Sequence, residues 1–277
     1  MPRTIRFPDG TEVPALGQGT WHMGERGADR QAEANALRLG LELGLRVIDT
    51  AEMYADGGAE EVVRMAVEGR RDEAFLVSKV YPQNASRGRM AKSCEASLRR
   101  MGVEAIDLYL LHWRGGVPLA ETVEAFGRLV EAGKIRRWGV SNLDVDDLGE
   151  LGAALPACAA DQVLYSLEAR GPEYDLLPFC GDRGMPVMAY SPVGQGGRLL
   201  RNAALRSLAG RHGVGPAAIA LAFVLRREGV IAVPKASDPA HLRENAAARE
   251  IVLSEDDLRA LDDAFPPPRR KVALAML

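Results

Sequence analysis

Cysteine is scarce in this sequence: Cys94, Cys158 and Cys180 are the only three in 277 residues. Their odd number and their spacings of 64 and 22 residues exclude a dense disulfide framework and match no zinc-ligand pattern, so no metal site is expected. Three reduced, mostly buried thiols in a cytoplasmic protein are expected instead. Neither sign of charge dominates, with 35 Lys and Arg against 38 Asp and Glu and a formal net charge of -3. That balance provides no broad attraction to phosphate backbones or anionic membranes, so neither nucleic acid nor a membrane is expected as a partner. No apolar run approaches the roughly 18–20 residues needed to span a bilayer. The opening MPRTIRFPDGTEVPALG is broken by charge, Pro and Gly, unlike a signal peptide. Heptads, repeats and low-complexity linkers are absent too. What remains is ordinary globular composition, 47% hydrophobic and 26% charged, in a chain long enough for a substantial core. We read residues 1–277 as one domain.

The informative pattern is an alternation. Short apolar, β-branched runs end in polar residues, and each leads into a segment of helical period. RVIDT (46–50) precedes GAEEVVRMAVEGR, AFLVSK (74–79) precedes SRGRMAKSCEASLRRMG, and IDLYLLHW (106–113) precedes PLAETVEAFGRLVEAGK. IRRWGVSN (135–142) leads into LDVDDLGELGAAL, AADQVLY (159–165) into a Pro-punctuated stretch, and MPVMAYSP (185–192) into two helical stretches near 202–212 and 216–228. VIAVPK (230–235) leads to DPAHLRENAAARE, and SEDDLRALDDAF follows. With LGQGT (16–20) as the first strand there are eight strand–helix units, which predicts a (β/α)8 TIM barrel. IRFPDGTEVP ahead of it predicts a β-hairpin turning at Asp9-Gly10. An open, doubly wound sheet is the alternative, but no G-x-G-x-x-G follows an early strand.

In a barrel the carboxyl ends of the strands converge on one face, where active sites form. Those ends hold Asp49, Lys79, His112, Ser141 and Asn142, Gln162, Tyr190 and Ser191, and Lys235, with Tyr54 five residues beyond Asp49. Taken singly each has a plain reading: a helix cap for Asp49, a rim charge for Lys79, a core imidazole for His112, a loop aromatic for Tyr54. Together they suit proton transfer to a carbonyl oxygen. A nearby ammonium favours the phenolate, so Lys79, held by Asp49, is expected to make Tyr54 more acidic than a free phenol. His112, neutral, is expected to donate a hydrogen bond to the substrate oxygen.

GLRVIDTAEMY (44–54), FLVSK (75–79), IDLYLLHW (106–113), GKIRRWGVSN (133–142), DQVLY (161–165), AYSP (189–192) and VPK…EN (233–245) resemble the aldo-keto reductases, in the family's order and over nearly the whole chain. AEMYADGGAE, LLHWRGG and RGPEYDLLP resemble a short bacterial branch of the methylglyoxal-reductase type. The resemblance implies a catalytic tetrad of Asp49, Tyr54, Lys79 and His112, with Tyr54 as general acid, and NADPH lying extended across the barrel mouth. Ser141, Asn142 and Gln162 match positions that bind the carboxamide, and Tyr190 matches the one that stacks on the nicotinamide. Ser191, Pro192, Val193 and Gly194 fall beside the pyrophosphate, with Gly19 and Thr20 in the same cofactor site. Lys235, Ala236, Ser237, His241, Glu244 and Asn245 match the adenosine-phosphate end. Trp21, Tyr54, His112 and Trp113 are the expected substrate contacts.

Many relatives have Ser or Thr where this chain has Ala236, and Arg where it has His241; Ser237 and Arg243 stand nearby. An imidazole grips a 2′-phosphate less well than an arginine fork, so NADPH is expected to be preferred with NADH possible. The loop from Trp113-Arg114 to Pro118 is short and the tail RRKVALAML is modest, which implies an open, broadly selective pocket. The expected activity is reduction of small aldehydes or 2-oxoaldehydes (methylglyoxal-like) by a cytoplasmic monomer or weak oligomer. The rivals are a non-catalytic nucleotide-binding redox sensor and a Schiff-base aldolase using Lys79.

Overall fold

A computed structural model describes residues 3–195 and 197–277. It opens with the hairpin, β1 (Thr4–Arg6) antiparallel to β2 (Glu12–Pro14), with Gly10 at φ 86° in the turn. Eight parallel strands follow: β3 (Gln18–Gly19), β4 (Val47–Asp49), β5 (Phe75–Val80), β6 (Leu108–Leu111), β7 (Trp138–Ser141), β8 (Cys158–Leu164), β9 (Val187–Tyr190) and, after a short β10 (Pro192–Gln195) outside the barrel sheet, β11 (Val230–Val233). They pair in the order β3-β4-β5-β6-β7-β8-β9-β11. The seam between β11 and β3 is closed by the Leu16–Ala232 and Gly19–Lys235 bridges. That seam needs glycine, since a Cβ on Gly19 would sit 2.7 Å from the Val233 carbonyl oxygen; on the other side, toward β4, one on Gly17 would sit 2.6 Å from that of Val47. The predicted TIM barrel and its hairpin are both present.

The helices are α1 (Arg30–Glu42), α2 (Gly58–Val67), α3 (Met90–Met101), α4 (Leu119–Glu131), α5 (Val145–Gly149), α6 (Leu176–Gly181), α7 (Ala203–His212), α8 (Pro216–Leu225), α9 (Pro239–Ala247) and α10 (Glu255–Ala264). Their ends carry the local chemistry that helices need. Asp29, Asn202 and Asp238 cap α1, α7 and α9 with side-chain oxygens, Asp144 and Ser254 form capping boxes on α5 and α10, and α3 and α7 stop at left-handed Gly102 and Gly213. The LDVDDLGELGAAL segment is only partly regular: α5 is five residues long, and Gly152–Ala157 continues as 3-10 turns around Pro156. The barrel strands are buried almost throughout, and all three cysteines are buried free thiols. No single helix among the described residues is long and apolar enough to cross a membrane.

One ionic cluster ties the β8–α6 connection to distant elements. Glu173, 4% exposed at its side chain, accepts from Arg170 at 2.7 Å, Arg226 at 3.0 Å, Arg227 at 3.2 Å and the Tyr165 hydroxyl at 2.6 Å. Arg170 also reaches Asp262 on α10 at 2.7 Å. Burial alone would raise the Glu173 pKa, but the guanidinium and phenol donors outweigh it and hold the carboxyl down at about 2. A depressed folded pKa stabilises the fold above the ordinary value of 4.5 and loses that contribution as pH falls toward about 2. Glu173→Gln, leaving Arg170 buried beside a neutral amide, is expected to cost about 3–5 kcal/mol at pH 7. The gap from wild type should shrink between pH 4.5 and 2 in urea-unfolding curves; a gap independent of pH over that window would contradict the role.

Candidate active site

The parallel register brings the strand ends level. Gly19 pairs with Asp49, Asp49 with Val77, Lys79 with Leu110, Ser141 with Gln162, and Tyr190 with Val233. His112 directly follows β6, its amide donating to the Val80 carbonyl at 3.0 Å. Tyr54 opens a 3-10 turn held by left-handed Ala55 and Asp56, with φ 50° and 52°. Asp49, Tyr54, Lys79 and His112 therefore meet at one end of the barrel.

Lys79 is completely buried. Its Nζ donates to Asp49 Oδ1 at 2.9 Å, Asp49 Oδ2 at 2.8 Å and the Thr50 carbonyl at 2.9 Å, and it lies 3.3 Å from the Tyr54 hydroxyl. Burial pulls the Lys79 pKa down, but the Asp49 charge and hydrogen bonds, with Tyr54 adding, raise it overall, so the amine is cationic. For Tyr54 the expectation of a more acidic phenol is not met. Burial raises its pKa, the Asp49 charge adds to that, and the opposing pull of Lys79 does not overcome them. The phenol is therefore protonated at neutral pH. His112 is neutral as expected, its pKa lowered to about 2 first by burial and then by the Lys79 charge. His112 Nδ1 is buried and unpartnered, which leaves Nε2 as the ring nitrogen open to the cavity.

Two cavities share this mouth. The larger, about 760 Å³, runs from Trp21, Asp49 and Tyr54 past Gly19, Thr20, Tyr190, Ser191, Pro192, Val193 and Gly194 to Lys235, Ala236, His241, Glu244 and Asn245. Ser237, two residues on, accepts at 3.0 Å from the Lys235 ammonium, which has no carboxylate partner among the described residues. The smaller, about 250 Å³, is bounded by Trp21, Tyr54, His112 and Trp113, with Ser141, Asn142, Gln162 and Tyr190 at its base. The predicted site residues are thus brought to one face. Several polar groups already have internal partners. Gln162 donates to Asp49 Oδ1 at 2.7 Å, Ser141 Oγ donates to the Gln162 carbonyl at 2.8 Å, and Tyr190 donates to Asn142 Oδ1 at 3.0 Å.

Sequence reasoning missed Met53, Met276 and Leu277, which also line the smaller cavity, and His22, Gly215 and Pro216, which line the larger one. Gly215-Pro216 was legible as a helix start, but nothing in the chain's periodicity marked the tail. The segment beyond α10 returns to the mouth and lines one side of it with Met276 and Leu277, both largely exposed, so the pocket stays open to solvent there.

An eight-stranded barrel with a buried Asp–Lys pair under a tyrosine and a histidine, beside a long groove, defines a class of carbonyl-handling enzymes. The model of the Aldo/keto reductase family matches residues 15–265, and the chain belongs to that family. It is 52% identical to the methylglyoxal reductase YeaE of Escherichia coli over 99% of both chains, and 31% identical to a glyoxal reductase of Bacillus subtilis over 94% of this chain and 91% of that one. Among solved structures, an aldo-keto reductase from Klebsiella pneumoniae in complex with NADPH superposes with a TM-score of 0.97 at 53% identity, each chain fully covered.

The Lys79 attraction on Tyr54, though outweighed, is testable. Lys79→Met should move the Tyr54 pKa further up, read by NMR of ring-labelled tyrosine with Tyr54→Phe to assign the resonance. A Tyr54 that titrates at the same pH or lower in Lys79→Met would refute the coupling.

Proposed function

We propose that this enzyme reduces small aldehydes and 2-oxoaldehydes to alcohols with NADPH, Tyr54 acting as general acid. The observation that carries the proposal is a protonated, partly buried Tyr54 hydroxyl 3.3 Å from a buried ammonium, beside a neutral imidazole open to the same cavity. The large groove fits the cofactor. It is floored by backbone at Gly19 and Gly194, it ends at the carboxylate-free Lys235, and a Cβ on Gly215 would lie 1.9 Å from Glu244 Oε1, so that wall has no room for a side chain. When bound there, NADPH supplies the hydride. Tyr190 and the Ser141–Asn142–Gln162 cluster would hold the nicotinamide end, and Lys235, His241, Glu244 and Asn245 the adenosine-phosphate end.

The chain's own residues do the rest. The His112 Nε2–H donates to the carbonyl oxygen and fixes it beside Tyr54. Tyr54 gives that oxygen its proton as negative charge develops. The phenolate left behind is met by Lys79, already charged and aimed, so no reorganisation is required at that moment. Burial keeps Tyr54 in the proton-bearing form that reduction requires, and Lys79 stabilises the form it takes afterwards. The same Lys79 geometry counts against an aldolase, since a Schiff-base lysine must present a free amine, whereas this one is fully enclosed and bonded to Asp49 and Thr50. A cytoplasmic location and a monomeric or weakly associating chain complete the reading.

Oxidation of NADPH and NADH against methylglyoxal, short aldehydes, benzaldehydes and keto acids tests it directly. Turnover of the short aldehydes with NADPH is the expected result, and tight cofactor binding without turnover of any carbonyl would favour a sensor. Tyr54→Phe should lower kcat by at least about 100-fold with cofactor binding nearly intact. Retention of more than half the wild-type kcat would remove Tyr54 from the acid role.

Cofactor preference should rest on Lys235. Loss of a partly exposed, charge-assisted contact costs about 1.5–3 kcal/mol, so Lys235→Ala is expected to weaken NADPH binding by about 10–150-fold. NADH binding should stay within about threefold, read by fluorescence titration. Equal losses for the two cofactors would place Lys235 on their shared pyrophosphate or in a structural role.

A further inference from the structure

Beyond α10 the chain has no regular structure, yet it is held. Leu274 packs on the core, and Val272 lies against Gly171, where a Cβ would come within 3.1 Å of Val272 Cγ2. Lys271 Nζ sits 3.3 Å from Asp144, 3.3 Å from Asp175 and 3.5 Å from Asp146. Asp144 and Asp175 are half-buried N-cap residues of α5 and α6, while Asp146 is almost fully exposed and contributes little. Three carboxylates gathered at two helix starts repel one another unless a cation sits among them, and Lys271 is that cation.

Two consequences follow from where the pin sits. Asp144 is two residues beyond Asn142, so the tail is fastened to the turn that builds the base of the smaller cavity. Five and six residues beyond the pin, Met276 and Leu277 line that cavity together with Trp21 and Trp113, each keeping its outer side in solvent. Among the described residues the remaining walls offer no free cation: Arg114, next to Trp113, is committed to Asp147 and Glu150 at 2.6 Å each. A cavity of about 250 Å³ narrowed on this side by apolar side chains favours short, uncharged aldehydes over bulky or anionic ones.

We propose that Lys271 is a positioning residue for substrate selection: by bridging Asp144 and Asp175 it holds Met276 and Leu277 as the apolar wall that restricts the pocket to short, uncharged aldehydes. The inference rests on the reductase reading given above. It assigns Lys271 no contact with substrate; it acts through the two residues it places.

The test measures kcat and KM at saturating NADPH for methylglyoxal and for a bulky benzaldehyde. The variants are Lys271→Ala, Lys271→Arg, the Met276→Ala/Leu277→Ala pair, and that pair combined with Lys271→Ala. Lys271→Ala should raise the methylglyoxal KM by about tenfold, the scale for losing a few apolar contacts in a small pocket. Its kcat should stay within about threefold, and the ratio of benzaldehyde to methylglyoxal kcat/KM should rise by about tenfold. Lys271→Arg should stay near wild type, because a guanidinium also spans two carboxylates. The alanine pair should reproduce the Lys271→Ala profile, and the combined variant should add nothing further. Unchanged selectivity in an active Lys271→Ala enzyme, or additive effects in the combined variant, would overturn the proposal. So would a loss of kcat equal for both aldehydes, which marks a merely structural role. A second readout does not depend on turnover: acrylamide quenching of tryptophan fluorescence, to which pocket-wall Trp21 and Trp113 contribute, should rise about twofold in Lys271→Ala. If no variant and no wild type reduced any carbonyl, the reductase reading would fail, and unchanged quenching would separately sink the pinned wall.

Discussion

Everything at the mouth of this barrel is arranged around one unfavourable object, a fully buried ammonium. Removing Lys79 from water costs several kcal/mol unless its charge and all three protons are answered. Asp49 answers with both oxygens and Thr50 with its carbonyl, and the third direction is the Tyr54 hydroxyl. Asp49 is in turn tied to Gln162, which lies across the barrel. The pair thus links β4, β5 and β8 through charge, where β-sheet pairing alone would connect only neighbours. Substituting either member would leave the other buried and uncompensated, so the chemistry and the integrity of the barrel interior depend on the same contact.

Strain is concentrated at the same end. Among the described residues the non-glycine positions with left-handed backbone are His22, Ala55, Asp56, Asn142 and Ser191. His22, Asn142 and Ser191 line the two cavities, and Ala55 and Asp56 form the turn that begins at Tyr54. Each such conformation costs on the order of 1–2 kcal/mol for a residue with a Cβ. Glycine would relieve that cost, yet side chains stand there, and at Asn142 the side chain accepts from Tyr190 and donates to the His112 carbonyl at 3.1 Å. The barrel below, with its buried strands and capped helices, carries the stability that lets the mouth depart from relaxed backbone.

Much of this was legible in the chain. The strands could be read because each is a short β-branched run ending in a polar residue, and the barrel's register then made the convergence of Asp49, Lys79 and His112 a matter of counting. The Glu173 cluster was visible only as the motif RGPEYDLLP, since its partners Arg226, Arg227 and Asp262 are remote in sequence and carry no spacing signal. The tail was illegible for a related reason. VALAML has no helical or strand period, and its position depends on Lys271 finding carboxylates contributed by two separate loops. Long-range ion pairs that fix an irregular segment leave no local pattern to read.

Tyr54 shows how a correct inventory of residues can still give the wrong sign. Sequence placed an ammonium beside a phenol, and from that pair alone the phenol should become more acidic. The structure adds two quantities that spacing does not contain: the phenol is itself partly withdrawn from water, and the carboxylate that holds the ammonium stands close enough to oppose it. The Asp49 charge offsets part of the Lys79 pull on Tyr54, and desolvation decides the direction. For a reductase this outcome serves both halves of the proton transfer. The resting enzyme keeps the proton on Tyr54, where a general acid must hold it, and the charge that would stabilise its loss is already in place at 3.3 Å. Acidity is therefore set for the moment when the substrate oxygen becomes negative, and not before.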